Sequence, residues 1–338
     1  MRHQRLDHFQ TGRLSLLRRL RGRFVLILCA LVLTVNLAMM GANEVLQAPS
    51  DRGESMDVVV PAGTTAEVAR ALSAAGVIDD PLVFRAAVFF TRKQGPIRAG
   101  EYLFPARASL QDIMRILRYG APVEHQVTIP EGLTGAQIAK ILNAAPDARG
   151  HVAAPPEGAV LPQTYAYTMG TSRSAILLRA EQAMDAAVAA AWAGRDKTII
   201  LTSPDQAVTL ASIVQEETPL AAELPKIAAV YENRLAMGMK LQADPTVIFA
   251  ATGGAAADGL PIFRADLANA SPYNTYVVEG LPPGPICSPG LAAIQAVLHP
   301  AASDALFFVA TGTGGHVFSK DFRQHLANVA AYRAVAGQ

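Results

Sequence analysis

A glutamate near the end of the segment QAVTLASIVQEET, residues 206–218, has a spacing that could do acid chemistry. Helical periodicity over Gln206–Thr218 sets Glu217 three residues after Val214, four after Ile213 and seven after Leu210, on one aliphatic stripe. Pro219 comes next and stops the helix, because proline has no amide hydrogen and clashes with the preceding turn. Glu216 instead has Ser212 one turn before it and faces the more polar side. A carboxyl held among apolar groups has its ionised form disfavoured, so it keeps its proton nearer neutral pH and can act as a general acid. The same spacing also fits a solvated glutamate at a helix end.

Downstream, Asn233, Gln242, Asp244 and Thr246 fall in loop-like stretches between apolar runs. So does SPYNTY, residues 271–276, with Tyr273, Asn274, Thr275 and Tyr276. Tyrosines interleaved with amides and hydroxyls suit a polyol ligand, since ring faces cover sugar C–H surface while polar groups meet hydroxyls. Tyr273 and Tyr276 fit simple packing equally well. The proline-rich Leu281–Ile286 would form an extended wall. The turn TGTGGH, residues 311–316, lies between two short apolar runs and reads as a hairpin rather than a phosphate loop. His299, His316 and His325 lack metal-ligand spacing, and no His-Glu-x-x-His occurs, so neither metal nor cofactor is expected. Cys29 and Cys287 cannot build a disulfide framework, and Cys287 reads as a packed small hydrophobe.

These groups need elements to position them, and the N-terminus indicates where those elements work. Residues 24–43 form a run of twenty without a charge, enough for a helix to cross about 30 Å of hydrocarbon. A cleavable signal peptide is the competing reading, but its apolar core is shorter and its N-terminal flank less extended. Residues 1–23 hold seven arginines and one acid, whereas Glu44, Asp51, Glu54 and Asp57 lie just beyond the run. The positive-inside rule then puts residues 1–23 in the cytoplasm and everything after 43 outside, periplasmic or extracellular. Beyond residue 23 the chain carries 22 basic against 27 acidic side chains, with no basic cluster, which argues against nucleic acid as a partner.

Residues 44–56 are polar with proline and glycine, suiting a short stalk. A strand at 58–60, a helix starting at the cap Thr64, a second over Pro81–Phe90, a strand at 102–104 and a third helix over 109–117 make a small βααβ-type module. The turns PAGTT and PEGLT mark a weak internal repeat. Residues 144–170 read as a loop-dominated connection, and an alanine-rich helix spans 172–192. The fold class is α+β on one transmembrane helix.

Several phrases in order, ASIVQEET, NRLAMGMKLQADPTVI, SPYNTY, GLPPGPICSPG and GGHVFS, closely resemble the endolytic murein transglycosylases of the YceG-like family. The resemblance implies an anchor (24–43) and stalk (44–56), a LysM-like substrate-binding region (57–143) and a catalytic domain (144–338). It places the family's catalytic acid on Glu217 and the glycan cleft beside Tyr273, Asn274 and Tyr276. Two positions depart from the family pattern. Gln215 replaces a glutamate, and Gln163 stands where Pro-Asp-Thr-Tyr is usual. The implied reaction cuts the β-1,4 bond between N-acetylmuramic acid and N-acetylglucosamine within nascent peptidoglycan, leaving 1,6-anhydro ends. Glycan strands, the lipid bilayer and peptidoglycan synthases are the implied partners. The alternatives are a tethered glycan-binding scaffold, and a hydrolase in which Asp244 or Glu216 positions water.

Overall fold

A computed structural model describes residues 7–255 and 262–337, and its contacts divide the chain into two compact units, 1–123 and 124–338. The first begins with helix α1 (Asp7–Gln47), whose segment Arg23–Gln47 is long and apolar enough to cross a membrane. The helix runs past residue 43, with the Ala48 amide donating to the Glu44 carbonyl at 2.8 Å. Only 48–55 is therefore left as connector, shorter than the expected stalk, before strand β1 (Met56–Val60).

Helices α2 (Thr65–Ala74) and α3 (Pro81–Phe90) come next, then a single 3-10 turn, strand β2 (Gly100–Phe104) and helix α4 (Leu110–Tyr119). The strands pair antiparallel, Met56 opposite Phe104 and Val60 opposite Gly100. Alternation sends Val58, Val60, Tyr102 and Phe104 into a core with Leu72, Phe84, Ile113 and Leu117, while Val59 and Leu103 face out. Reciprocal capping boxes, Thr64 with Glu67 and Ser109 with Asp112, satisfy amides that would otherwise be unpaired at the starts of α2 and α4. The βααβ order read from sequence is present, and the third helix expected after it is α4.

The second unit starts at strand β3 (Glu124–Thr128), with helix α5 (Gly135–Ala144) and strand β4 (Thr164–Thr168) after it. Sequence groups 124–143 with the module before it. In the structure β3 pairs antiparallel with β4, and Ile129, Ile138 and Leu142 share a core with Tyr165, Tyr167 and Ile176, so these residues belong to the second unit. The PEGLT turn leads into α5 through a Thr134–Gln137 capping box, the counterpart of Thr64–Glu67 after PAGTT.

Helix α6 (Arg173–Gly194) then leads to α7 (Pro204–Glu217) and α8 (Leu224–Ala236). Beyond them lie the short helices α9 (Asp244–Thr252), α10 (Arg264–Leu267) and α11 (Leu291–Leu298). Strands β5 (Phe307–Ala310) and β6 (His316–Ser319) form the expected hairpin, and α12 (Phe322–Ala336) closes the chain. Every residue of α7 from Ala207 to Val214 is buried, as befits a helix apolar nearly all round. It packs against α8 and α11 in a core containing Leu210, Ile213, Val214, Ile227, Ile294 and Val297.

Candidate active site

Ser203 caps the start of α7, accepting from the Gln206 amide, and Pro204 occupies its first turn. The buried body of the helix fixes its C-terminal turn, where Gln215, Glu216 and Glu217 are all partly exposed. At Thr218 the backbone turns extended, as the following proline requires. The Gln215 side-chain oxygen accepts from the Gly290 amide at 2.9 Å, tying α7 to the start of α11. A glutamate could accept that bond equally well, so this departure from the family pattern preserves the contact.

Glu217 retains some solvent exposure as a residue, but protein closely surrounds its carboxyl. The Tyr231 hydroxyl, from α8, donates to Oε1 at 2.5 Å. Burial raises the Glu217 pKa from its ordinary 4.5 to about 7, and the charges of Asp244 and Glu216 push the same way. The Tyr231 bond and the Arg234 guanidinium oppose that rise without cancelling it. Tyr231 is itself fully buried, and burial together with Glu217 holds its pKa well above the usual phenol value, so it remains a donor.

Arg234 is buried on α8 one turn beyond Tyr231. Its Nε donates to the Leu306 carbonyl at 2.7 Å and Nη1 to the Leu241 carbonyl at 2.5 Å. It thus clamps β5 and the loop before α9 to α8. Asp244 opens α9 and is exposed, and its Oδ1 accepts from the Tyr276 hydroxyl at 2.6 Å. Burial and Asp244 together push the Tyr276 pKa above its ordinary range, so Tyr276 also stays a donor. Glu217, Asp244 and Tyr276, all anticipated from sequence, therefore meet around Tyr231 and Arg234.

The other anticipated residues hold the frame. Asn233 lies on α8, not in a loop, and its amide donates to the Ser303 and Ala305 carbonyls at 2.9 and 3.0 Å. Thr246 lies in the first turn of α9, where its hydroxyl is 2.8 Å from that of Thr275; the latter accepts from the Ala243 amide. Asn274 is buried and donates to the carbonyls of Asp266, Leu267 and Asn269. Gln242 has an exposed side chain on a left-handed backbone with φ 52°. Tyr273 is half-buried against Phe249, ring centres 4.8 Å apart. Sequence reasoning does not single out Tyr231, although a tyrosine among Ile227, Ala228 and Val230 signals a buried hydroxyl in need of a partner.

A cavity of about 120 Å³ adjoins the end of α7, lined by Gly132, Thr134, Glu216, Phe249, Ile286 and Cys287 among others; Glu217 is not part of its wall. Gly132 has φ +80°, and a Cβ there would come within 2.5 Å of the Glu216 carboxylate. Cys287 is buried, its Sγ donating to the Ser212 carbonyl at 3.3 Å. No group of three His, Cys, Asp or Glu able to hold a metal ion occurs among the described residues.

The YceG-like family model matches residues 58–331. A Bacillus subtilis protein named endolytic murein transglycosylase is 44% identical over 118 residues, covering 35% of this chain and 32% of that protein. A Streptococcus pneumoniae protein of the same name is 25% identical over 341 residues, covering 86% of this chain and 60% of its own length. The chain thus spans about a third of the first relative and three fifths of the second. Among solved structures, a YceG-like protein from Listeria monocytogenes is similar with a TM-score of 0.51 and 27% identity, over 81% of this chain and 98% of the other.

Proposed function

Since this chain belongs to the YceG-like family, we propose that it is a membrane-anchored lytic transglycosylase that cuts within nascent peptidoglycan strands. The single observation that carries this reading is Glu217, a carboxyl lifted to a pKa of about 7 and held by Tyr231 at the end of a rigid buried helix. The names of the Bacillus and Streptococcus relatives support the same chemistry.

In this reading Glu217 gives its proton to the glycosidic oxygen between N-acetylmuramic acid and N-acetylglucosamine as the C1–O bond breaks. The muramic residue becomes oxocarbenium-like, and its own C6 hydroxyl attacks C1. Glu217, now a carboxylate, takes the hydroxyl proton and is restored. No water is consumed, and the new end is a 1,6-anhydro sugar. A hydrolase of glycosides ordinarily needs a second carboxylate for nucleophile or water. An internal hydroxyl removes that need, leaving Asp244 and Tyr276 to border the cleft and the Asp244 charge to help keep Glu217 protonated. Exposed Gln242, two residues before Asp244, and half-buried Tyr273, three before Tyr276, serve in this reading as further glycan contacts.

Segment Arg23–Gln47 supports a single-pass anchor, and the arginines of 1–23 favour a cytoplasmic N-terminus with the chain beyond the anchor outside the inner membrane. Within residues 57–143, a LysM-like glycan-binding region is supported by the β1–β2 pair and its intervening helices. Peptidoglycan synthases, which extrude strands at the membrane surface, are natural partners for an enzyme held there.

The test is to incubate the full chain and its Glu217→Gln variant with uncrosslinked glycan strands. The parent is expected to shorten them, and the variant to lose at least about a thousandfold in rate, as when a general acid with no substitute is removed, while still co-sedimenting with the strands. Cutting by the variant at the parental rate would refute the assignment.

A further inference from the structure

Helix α3 carries an apolar face that the fold does not use. Phe84 and Ala87 are buried, but Leu82, Val83, Ala86, Phe89 and Phe90 point the other way on one stripe. Leu82 is 68% exposed and Phe90 82%. A ten-residue helix of a soluble module gains nothing by displaying two adjacent phenylalanines to water, since their apolar area stays unburied. At the end of this face the charge is positive. Arg92 and Lys93 are exposed, and the Arg92 guanidinium lies 4.4 Å from the Phe89 ring centre. Arg85 and Arg98 are exposed nearby in sequence.

The location of this end is informative. Asn43, Leu46 and Gln47, the last turn of α1, line one cavity together with Thr91 and Gln94, which lie just beyond Phe90. Leu46 packs against the core that also contains Phe84. The aromatic and basic end of α3 is thus held beside the point where the apolar helix finishes, with eight residues of connector adding further restraint. Aromatic rings backed by Arg and Lys at the end of a spanning helix match the chemistry of a bilayer interface: rings at headgroup depth, cations on lipid phosphates.

We propose that the exposed face of α3, with Phe89, Phe90, Arg92 and Lys93 at its tip, docks into the bilayer surface, preferring anionic lipid. The docking rests on the anchor reading of α1. It gives the module a second attachment, restricting its swing and keeping it at the level where new glycan emerges.

The experiment uses the full chain in phosphatidylcholine nanodiscs with and without phosphatidylglycerol. A fluorophore is placed on Cys29 of the parent, on the introduced thiol of a Cys29→Ala, Phe90→Cys variant, or on the introduced thiol of a Cys29→Ala, Ala302→Cys variant; Cys287 is buried and does not label. Quenching by nitroxide lipids is compared with quenching by aqueous iodide. Docking predicts lipid quenching at position 90 several-fold above that at exposed position 302, increasing with phosphatidylglycerol and falling when Arg92 and Lys93 are changed to Glu. Quenching at 90 equal to that at 302, with Cys29 still quenched by lipid, overturns the docking and spares the anchor. Failure of lipid to quench Cys29 overturns both. Protection of position 90 from lipid and iodide alike overturns docking in favour of a protein partner.

Discussion

In the proposed reaction Glu217 does opposite jobs in one turnover, and its position between two environments suits both. Packing around its carboxyl favours the neutral acid, while Tyr231 and Arg234 keep the carboxylate within reach. Because the acid form starts the reaction, kcat/KM is expected to fall as pH rises through about 7, approaching tenfold per pH unit above it; a rate profile on defined strands measures this. The Tyr231 bond lowers the Glu217 pKa, so Tyr231→Phe should move the alkaline limb to higher pH and cut kcat about tenfold with KM unchanged. A Tyr231→Phe profile with an unmoved limb would show that the tyrosine only packs. Stability runs against activity at this residue. A carboxyl whose folded pKa is raised destabilises the fold as pH climbs from its ordinary 4.5 and does so fully above about 7. Glu217→Gln, which can still accept from Tyr231, should therefore melt higher than the parent at pH 8 and no differently at pH 4, by calorimetry.

The elements that set this residue are α7, stopped at Pro219, α8, which presents Tyr231 and Arg234 one turn apart, and the β5–β6 hairpin braced behind them. Phe308 of β5 meets the Tyr231 ring edge-on with centres 5.9 Å apart, and the His316 ring likewise at 5.4 Å. His316 bonds Glu223 through both its backbone amide, at 2.8 Å, and ring Nδ1, at 2.7 Å. Burial disfavours ionised Glu223, yet the His316 bonds outweigh it and hold its pKa below the usual value. Glu223→Gln is accordingly expected to lower stability by about 1–3 kcal/mol. The contribution of a lowered carboxyl is present above its ordinary 4.5 and fades as pH falls through the folded value, so the deficit should shrink in acid; chemical denaturation across pH tests it. Local signals make α3 and α7 legible in sequence: caps, a terminating proline, apolar periodicity. Asn233 and Thr246 read as loop residues from sequence, yet both sit on helices. The Asn233 amide reaches carbonyls of Ser303 and Ala305, and Thr246 meets Thr275, all contributed by distant segments that no local pattern encodes. The boundary before Glu124 is hidden for a like reason, since β3 is claimed by a strand about forty residues away.

For the whole molecule, the chain's asymmetry ties chemistry to place. Arginines crowd before the apolar helix, a mildly acidic remainder lies after it, and the carboxyl-centred site lies in the second unit. In the proposed reading, tethering through α1 confines the enzyme to glycan near the membrane, which suits an endolytic cut in strands still being made. That cut also has a chemical signature independent of location. Attack by the sugar's own C6 hydroxyl brings no solvent oxygen into the product, whereas any hydrolytic route must. The most direct measurement is therefore digestion of purified strands by the full chain in water enriched in heavy oxygen, with mass spectrometry of the new ends. Ends one water lighter than a reducing sugar and free of heavy oxygen are the predicted result. Reducing ends carrying the heavy label at C1 would contradict the account and transfer the reaction to a water held by Asp244 or Glu216.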